Sequence, residues 1–152
     1  MRRILLLMAF VFLAVPACRA EEAKMDTLSI TTADGKQHDF TVEIADTMEK
    51  RTIGLMFRKE MPADHGMIFI FDEETPRAFW MKNTFIPLDM LFIRKDGTIG
   101  HIHENAIPHD ETSIPSNGPA LVVLEINGGR AAALGIKPGD VAHHAVFGNA
   151  LA

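Results

Sequence analysis

Residues 77–93 gather most of the groups in this chain that could do chemistry. They hold the only Trp, Trp80, with three Phe and two Met around Lys82, Asn83, Thr84 and Asp89. Large apolar side chains interleaved with a few polar groups are the makings of a ligand pocket, because the apolar walls supply contact and the polar groups fix orientation. Residues 79–82 and 88–94 read as two strands around a loop, and loop parity decides which side chains meet. A four-residue loop, 83–86, puts Trp80, Lys82 and Asp89 on one face. A five-residue loop sends Asp89 to the other face with Phe79 and Met81. The first arrangement would set a Lys–Asp pair beside an indole, suited to a polar or sugar-like ligand. Otherwise the pair braces a turn and the indole fills the core.

Three further groups compete for a role. Arg51 and Arg58, seven residues apart on an expected helix, share a face two turns apart. They would hold a carboxylate or phosphate bidentately, or pin the helix to a sheet through Asp72, Asp89 or Glu125. Glu125 ends the run Leu121-Val122-Val123-Leu124 and shares a strand face with Leu121 and Val123, so it is either paired with Arg or raised in pKa by burial. As an acid/base with Asp89 it would make the domain a hydrolase. His101 and His103 alternate on a strand and point the same way, the local half of a metal site, but a closed zinc site needs about four ligands. Met56, Met61, Met67, Met81 and Met90 are mixed with Leu, Ile and Phe, which favours core packing over Cu(I) binding. The chain has no Gly-x-Ser-x-Gly elbow, no phosphate-binding glycine loop and no dinucleotide fingerprint. No cofactor is expected.

The positioning elements read as mainly β with two short helices, an α+β chain folded as a compact antiparallel barrel or sandwich in a single domain over residues 27–148. Residues 27–32 and 39–44 alternate apolar and polar around Ala33-Asp34-Gly35-Lys36, a hairpin. Asp46-Thr47-Met48-Glu49 starts a helix expected to reach about Arg58. Residues 66–71 form a short strand. Asp96-Gly97 joins 88–94 to 98–104 in a second hairpin. Residues 106–119, with three prolines, read as a long surface loop, and 120–126 as a central strand. A short helix over 129–134 ends at Gly135. Lys137-Pro138-Gly139-Asp140 forms a turn before a closing strand from Val141 to Phe147.

Residues 1–20 read as a signal peptide, with Arg2-Arg3 ahead of an apolar run from Ile4 to Val15 too short to span a bilayer as an ordinary helix. Cleavage after Ala20 removes Cys18, the only cysteine. The alternative is a lipoprotein signal ending at Cys18, although Pro16 is an awkward residue for one. The protein is therefore expected to be exported, to the periplasm or beyond, and to touch membrane only through its signal or a lipid anchor. Losing Arg2, Arg3 and Arg19 from 15 basic residues leaves 12 against 20 acidic ones, a charge of about −8. So acidic a domain lacks the basic footprint that nucleic-acid binding needs.

The ordered motifs resemble the family called domain of unknown function 192, small bacterial and archaeal proteins that are often exported. The resemblance is carried by Arg51 with Gly54-Leu55-Met56 and Arg58, Gly66-Met67-Ile68-Phe69 with Phe71, Phe79-Trp80-Met81-Lys82-Asn83-Thr84, Ile86-Pro87-Leu88-Asp89-Met90, Leu124-Glu125 and Gly139-Asp140. It covers roughly residues 27–147. The family often carries Tyr just before the run ending Leu-Glu; here Ala120-Leu121 stand there, and the chain has no Tyr. The resemblance implies a β-rich single domain and adds weight to Arg51, Arg58, Trp80, Lys82, Asn83, Asp89 and Glu125. The reading that follows is an exported, monomeric, non-enzymatic module binding a small molecule, glycan or extended peptide. The hydrolase and the His101/His103 metal domain stand as alternatives.

Overall fold

The computed structural model describes residues 23–151. The expected signal peptide, Cys18 and the two cleavage alternatives lie outside the described residues. Seven strands form one curled sheet, a half-barrel: β1 (Met25–Thr31), β2 (Gln37–Ala45), β3 (His65–Phe79), β4 (Leu88–Ile93), β5 (Ile99–Ala106), β6 (Ile114–Asn127) and β7 (Val141–His143). The spatial order is β5-β4-β6-β3-β2-β1-β7. All neighbours are antiparallel except β2 and β3, which run parallel because the helix α1 (Met48–Ile53) carries the chain across between them. A second helix, α2 (Arg130–Leu134), follows β6 and ends on Gly135 in the left-handed region.

Curling brings the two sheet edges together. Thr98 bridges Val141, and the Ala142 N–H donates to Gly97 O at 2.8 Å. Gly97 serves both the β4–β5 turn and this closure, since a Cβ there would lie 2.5 Å from the Ala142 carbonyl oxygen. The concave side is filled by Leu28, Ile30, Phe40, Val42, Ile68, Leu91, Leu124 and Ile126. A second core sits on the convex side over β3, β4 and β6, built from Leu55, Met67, Phe69, Met81, Met90, Phe92 and Val123. Strands β4 and the 120–126 part of β6 are therefore buried on both faces, and for that reason their sequences are apolar at every position but Asp89 and Glu125.

Both expected hairpins, the central strand at 120–126 and the helix ended by Gly135 are present. Four expectations are corrected. The closing strand expected to reach Phe147 stops at His143, after which Ala145–Phe147 form a single 3-10 turn. Residues 79–82 and 88–94 do not pair with each other: β4 lies between β5 and β6, whereas β3 lies between β6 and β2. Residues 114–119, with two of the loop's three prolines, belong to β6 and pair with Pro76–Phe79 of a β3 far longer than 66–71. The first helix stops at Ile53, because Gly54 turns to φ 48° and lies against the Phe69 ring.

Candidate functional site

Where β3 outruns β2, a cleft of about 490 Å³ opens between the strand and α1. Its walls are Met48, Arg51 and Thr52 of α1, the turn Gly54–Met56, and Phe71, Arg77, Ala78 and Phe79 of β3. Trp80, Lys82 and Thr84 close one side, and Glu125 of β6 reaches it from the sheet. The volume falls in the range of small-ligand pockets.

The Trp80 side is set by a tight turn. The Thr84 N–H donates to Met81 O at 3.1 Å, and Asn83 takes the positive φ of 52° that a type II turn asks of its third residue. Met81 is fully buried in the convex core, so its neighbours Trp80 and Lys82 turn the other way. Trp80 is 49% exposed, and Lys82 Nζ lies 5.1 Å from the centre of its ring. Asn83 serves the turn: its carbonyl accepts from Phe57 N–H at 2.8 Å, joining this loop to the segment after α1.

Two guanidinia flank Phe71. Arg51 lies 5.2 Å and Arg77 4.0 Å from the ring centre. Arg51 Nη1 donates to Asp46 O and Ile70 O, and Arg77 Nη2 donates to Glu73 O. Each cation is thus oriented through one nitrogen. Arg77 Nε is buried without a partner.

Glu125 is the only carboxyl lining the cleft among the described residues. It is 4% exposed, registers opposite Met67 and Met90, and its carboxyl makes no hydrogen bond to a described residue. Burial disfavours the ionised form and pushes its pKa up to about 8. At neutral pH Glu125 is a proton-bearing acid at the inner end of a cationic, aromatic-walled cleft, able to donate one hydrogen bond and accept others.

The remaining candidates lie elsewhere. Asp89 is completely buried on the concave side: Oδ1 accepts from Asn105 N–H at 2.8 Å and Gly129 N–H at 2.9 Å, and Oδ2 from Ala131 N–H at 2.8 Å. It caps α2 from a neighbouring strand, and the expected shared face with Trp80 and Lys82 falls with the hairpin that would have produced it. Arg58, beyond the shortened helix, forms a two-pronged ion pair with Glu43 of β2, so it no longer shares a face with Arg51. His101 stacks on its cross-strand partner Phe92 and its Nε2 lies 3.1 Å from Asn117 Nδ2. Burial and the neighbouring His103 lower its pKa. No third His, Cys, Asp or Glu gathers with these histidines among the described residues.

Arg77, Phe71 and Phe79 line the cleft but are not among the candidate site residues read from the sequence, although Phe71 and Phe79 carry part of the family resemblance. Arg77 and Phe79 lie inside the 77–93 stretch but figure there only as neighbours of Trp80, and Phe71 falls at the end of the expected strand 66–71.

Comparison with known proteins agrees with the fold. A protein from Sinorhizobium meliloti 1021, described as a candidate transcription regulator, is 48% identical with a TM-score of 0.81, covering 84% of this chain and 98% of that one. A protein of unknown function from Novosphingobium aromaticivorans DSM 12444 is 42% identical with a TM-score of 0.78, covering 87% of this chain and 91% of that one. No curated protein matches. The family model for DUF192, described as an uncharacterised ACR, matches residues 29–144, most of the chain and all seven strands in whole or part. The chain is a member of the DUF192 family.

Proposed function

We propose that this protein is an exported, monomeric, non-enzymatic binding domain whose ligand, a small molecule, glycan or extended peptide, occupies the cleft between α1 and the far end of β3. The observation that carries this reading is the half-exposed Trp80 at the cleft wall with Lys82 beside its ring. An indole that only filled the core would be covered. Arg51, Arg77 and Lys82 against one proton-bearing Glu125 favour an anionic ligand, and Phe71 and Phe79 favour one with a flat or apolar body.

A thermal-shift screen of the folded domain against sugar phosphates, peptidoglycan fragments, carboxylic acids and short peptides tests it. A binder at 100 times its dissociation constant stabilises by about 2.7 kcal/mol. The shift should vanish in Trp80→Ala. Failure of every class to shift the melting temperature overturns the reading in favour of a role through protein partners.

The hydrolase alternative has one observation in its favour, the proton that Glu125 holds at the cleft, since a carboxyl with raised pKa suits general acid–base work. Among the described residues it lacks a second carboxyl there. The description of the S. meliloti protein offers little for this chain, whose formal charge of −5 is the wrong sign for DNA.

A further inference from the structure

Resting on the cleft as a binding site, we propose that its occupant is an acidic peptide in extended conformation, which adds a short strand to the open edge at Ala78 of β3 and Trp80 just beyond it and sets a carboxylate against Arg51 and Arg77.

The first support is the shape of the lining. Arg77, Ala78, Phe79 and Trp80 all border the cleft, four consecutive residues. Side chains of a strand alternate between faces, so a cleft over one face would collect every second residue. Lining by consecutive residues means that the cleft runs along the strand's edge.

The second support is that this edge carries main-chain groups without partners. Strand β2 pairs with β3 only as far as Phe69, and among the described residues no other strand covers that side of 75–79. On the opposite side Ala78 registers with Pro115. Proline has no N–H, so this pair cannot exchange hydrogen bonds, and it is the flanking residues that bond to β6. The Ala78 N–H and C=O therefore point away from β6, toward the cleft. Edges of this kind are the sites at which proteins add a peptide strand, the main chain giving affinity and flanking pockets giving choice.

The third support is charge and limit. The edge is flanked by two oriented guanidinia with further N–H groups to offer and by Lys82, which favours an acidic peptide. Pro76 has no donor, and the exposed Asp72, Glu73 and Glu74 repel acid beyond it, so the added strand is a few residues long. Trp80 and Phe79 offer an apolar seat for a neighbouring side chain.

Trp80 is the sole Trp, so its intrinsic fluorescence reports on this site alone. The probes are hexapeptides alternating Glu with Leu or Phe, each as free acid and as C-terminal amide, the same series with Lys for Glu, and versions N-methylated at alternate residues. Citrate and glucose 6-phosphate serve as non-peptide anions. The acidic peptides should change Trp80 emission saturably, the Lys series should not, and one N-methyl register should weaken binding by about tenfold or more. Amidation separates the two sources of carboxylate: loss of binding assigns a chain-terminal group, and its retention a side chain. Ala78→Pro, which leaves the β6 pairing intact, should weaken peptide but not citrate, with its melting temperature checked alongside. Equal binding of both N-methyl registers and the parent, or of the Lys series, overturns the strand-addition proposal. If only the small anions move Trp80, the cleft remains a binding site and the peptide falls. If nothing moves it, both fall.

Discussion

Asp89 and Glu125 sit on adjacent strands one register step apart and face opposite sides of the sheet. Asp89 registers with Ile126 and Glu125 with Met90, so alternation sends the first into the concave core and the second toward the convex cleft. The two carboxyls that an acid/base pair would require are separated by the sheet itself. One is a structural acceptor for three main-chain amides, and the other is an unpaired acid bordering a cleft.

Asp89→Ala should cost about 3 kcal/mol or more in urea unfolding, because Asn105, Gly129 and Ala131 would each keep a donor with no acceptor. Asp89→Asn, which retains one oxygen, should cost less. A loss below about 1 kcal/mol for the alanine variant would contradict the capping role.

Glu125 makes stability depend on pH with a definite sign. Its folded-state pKa of about 8 lies above the ordinary glutamate value of 4.5, so between those limits the folded protein holds a proton that the unfolded chain has released. This contribution to stability is fully present below the lower value, falls as pH rises, and is gone above about pH 8. Melting temperatures from pH 5 to 9 should fall more steeply in the wild type than in Glu125→Gln, which has nothing to ionise. Parallel curves would show that the carboxyl is ionised at neutral pH.

Gly54→Ala should destabilise by about 1–3 kcal/mol, since φ 48° with ψ −132° is held by glycine and an added Cβ would meet the Phe69 ring at 3.0 Å. Denaturant titration measures it. The same change should loosen the cleft wall, which Gly54 helps to form.

Arg51 and Arg58, equivalent by spacing, should differ as variants. Arg58→Ala breaks a partly exposed pair with Glu43 and should cost about 1 kcal/mol or less while leaving any Trp80 fluorescence titration unchanged. Arg51→Ala should weaken that titration, because Arg51 stands in the cleft. Identical effects of the two would remove the distinction.

Mass spectrometry of the protein recovered from the cell envelope should find a mature chain beginning at Glu21. A lipidated Cys18 as first residue would establish the anchored form instead, and an intact Met1 would exclude export.

Much of the architecture was legible without coordinates because it is local. Alternation at 27–32 and 39–44, Asp96-Gly97 and the mostly apolar run 120–126 report periodicity, turn chemistry and burial on both faces, each encoded by neighbours in the chain. The family motifs likewise pointed to Trp80 and Lys82. What the residues alone did not decide was which strands pair. Whether residues 79–82 meet 88–94, or β6 inserts between β3 and β4, depends on contacts between segments far apart in sequence, and that choice set Asp89 and Glu125 on opposite faces. The same long-range pairing carried β3 past the end of β2, exposed its edge and brought Arg77 beside Arg51 across the Phe71 ring. Composition and spacing named the groups that could act; only the closing of the sheet decided which of them share a cleft.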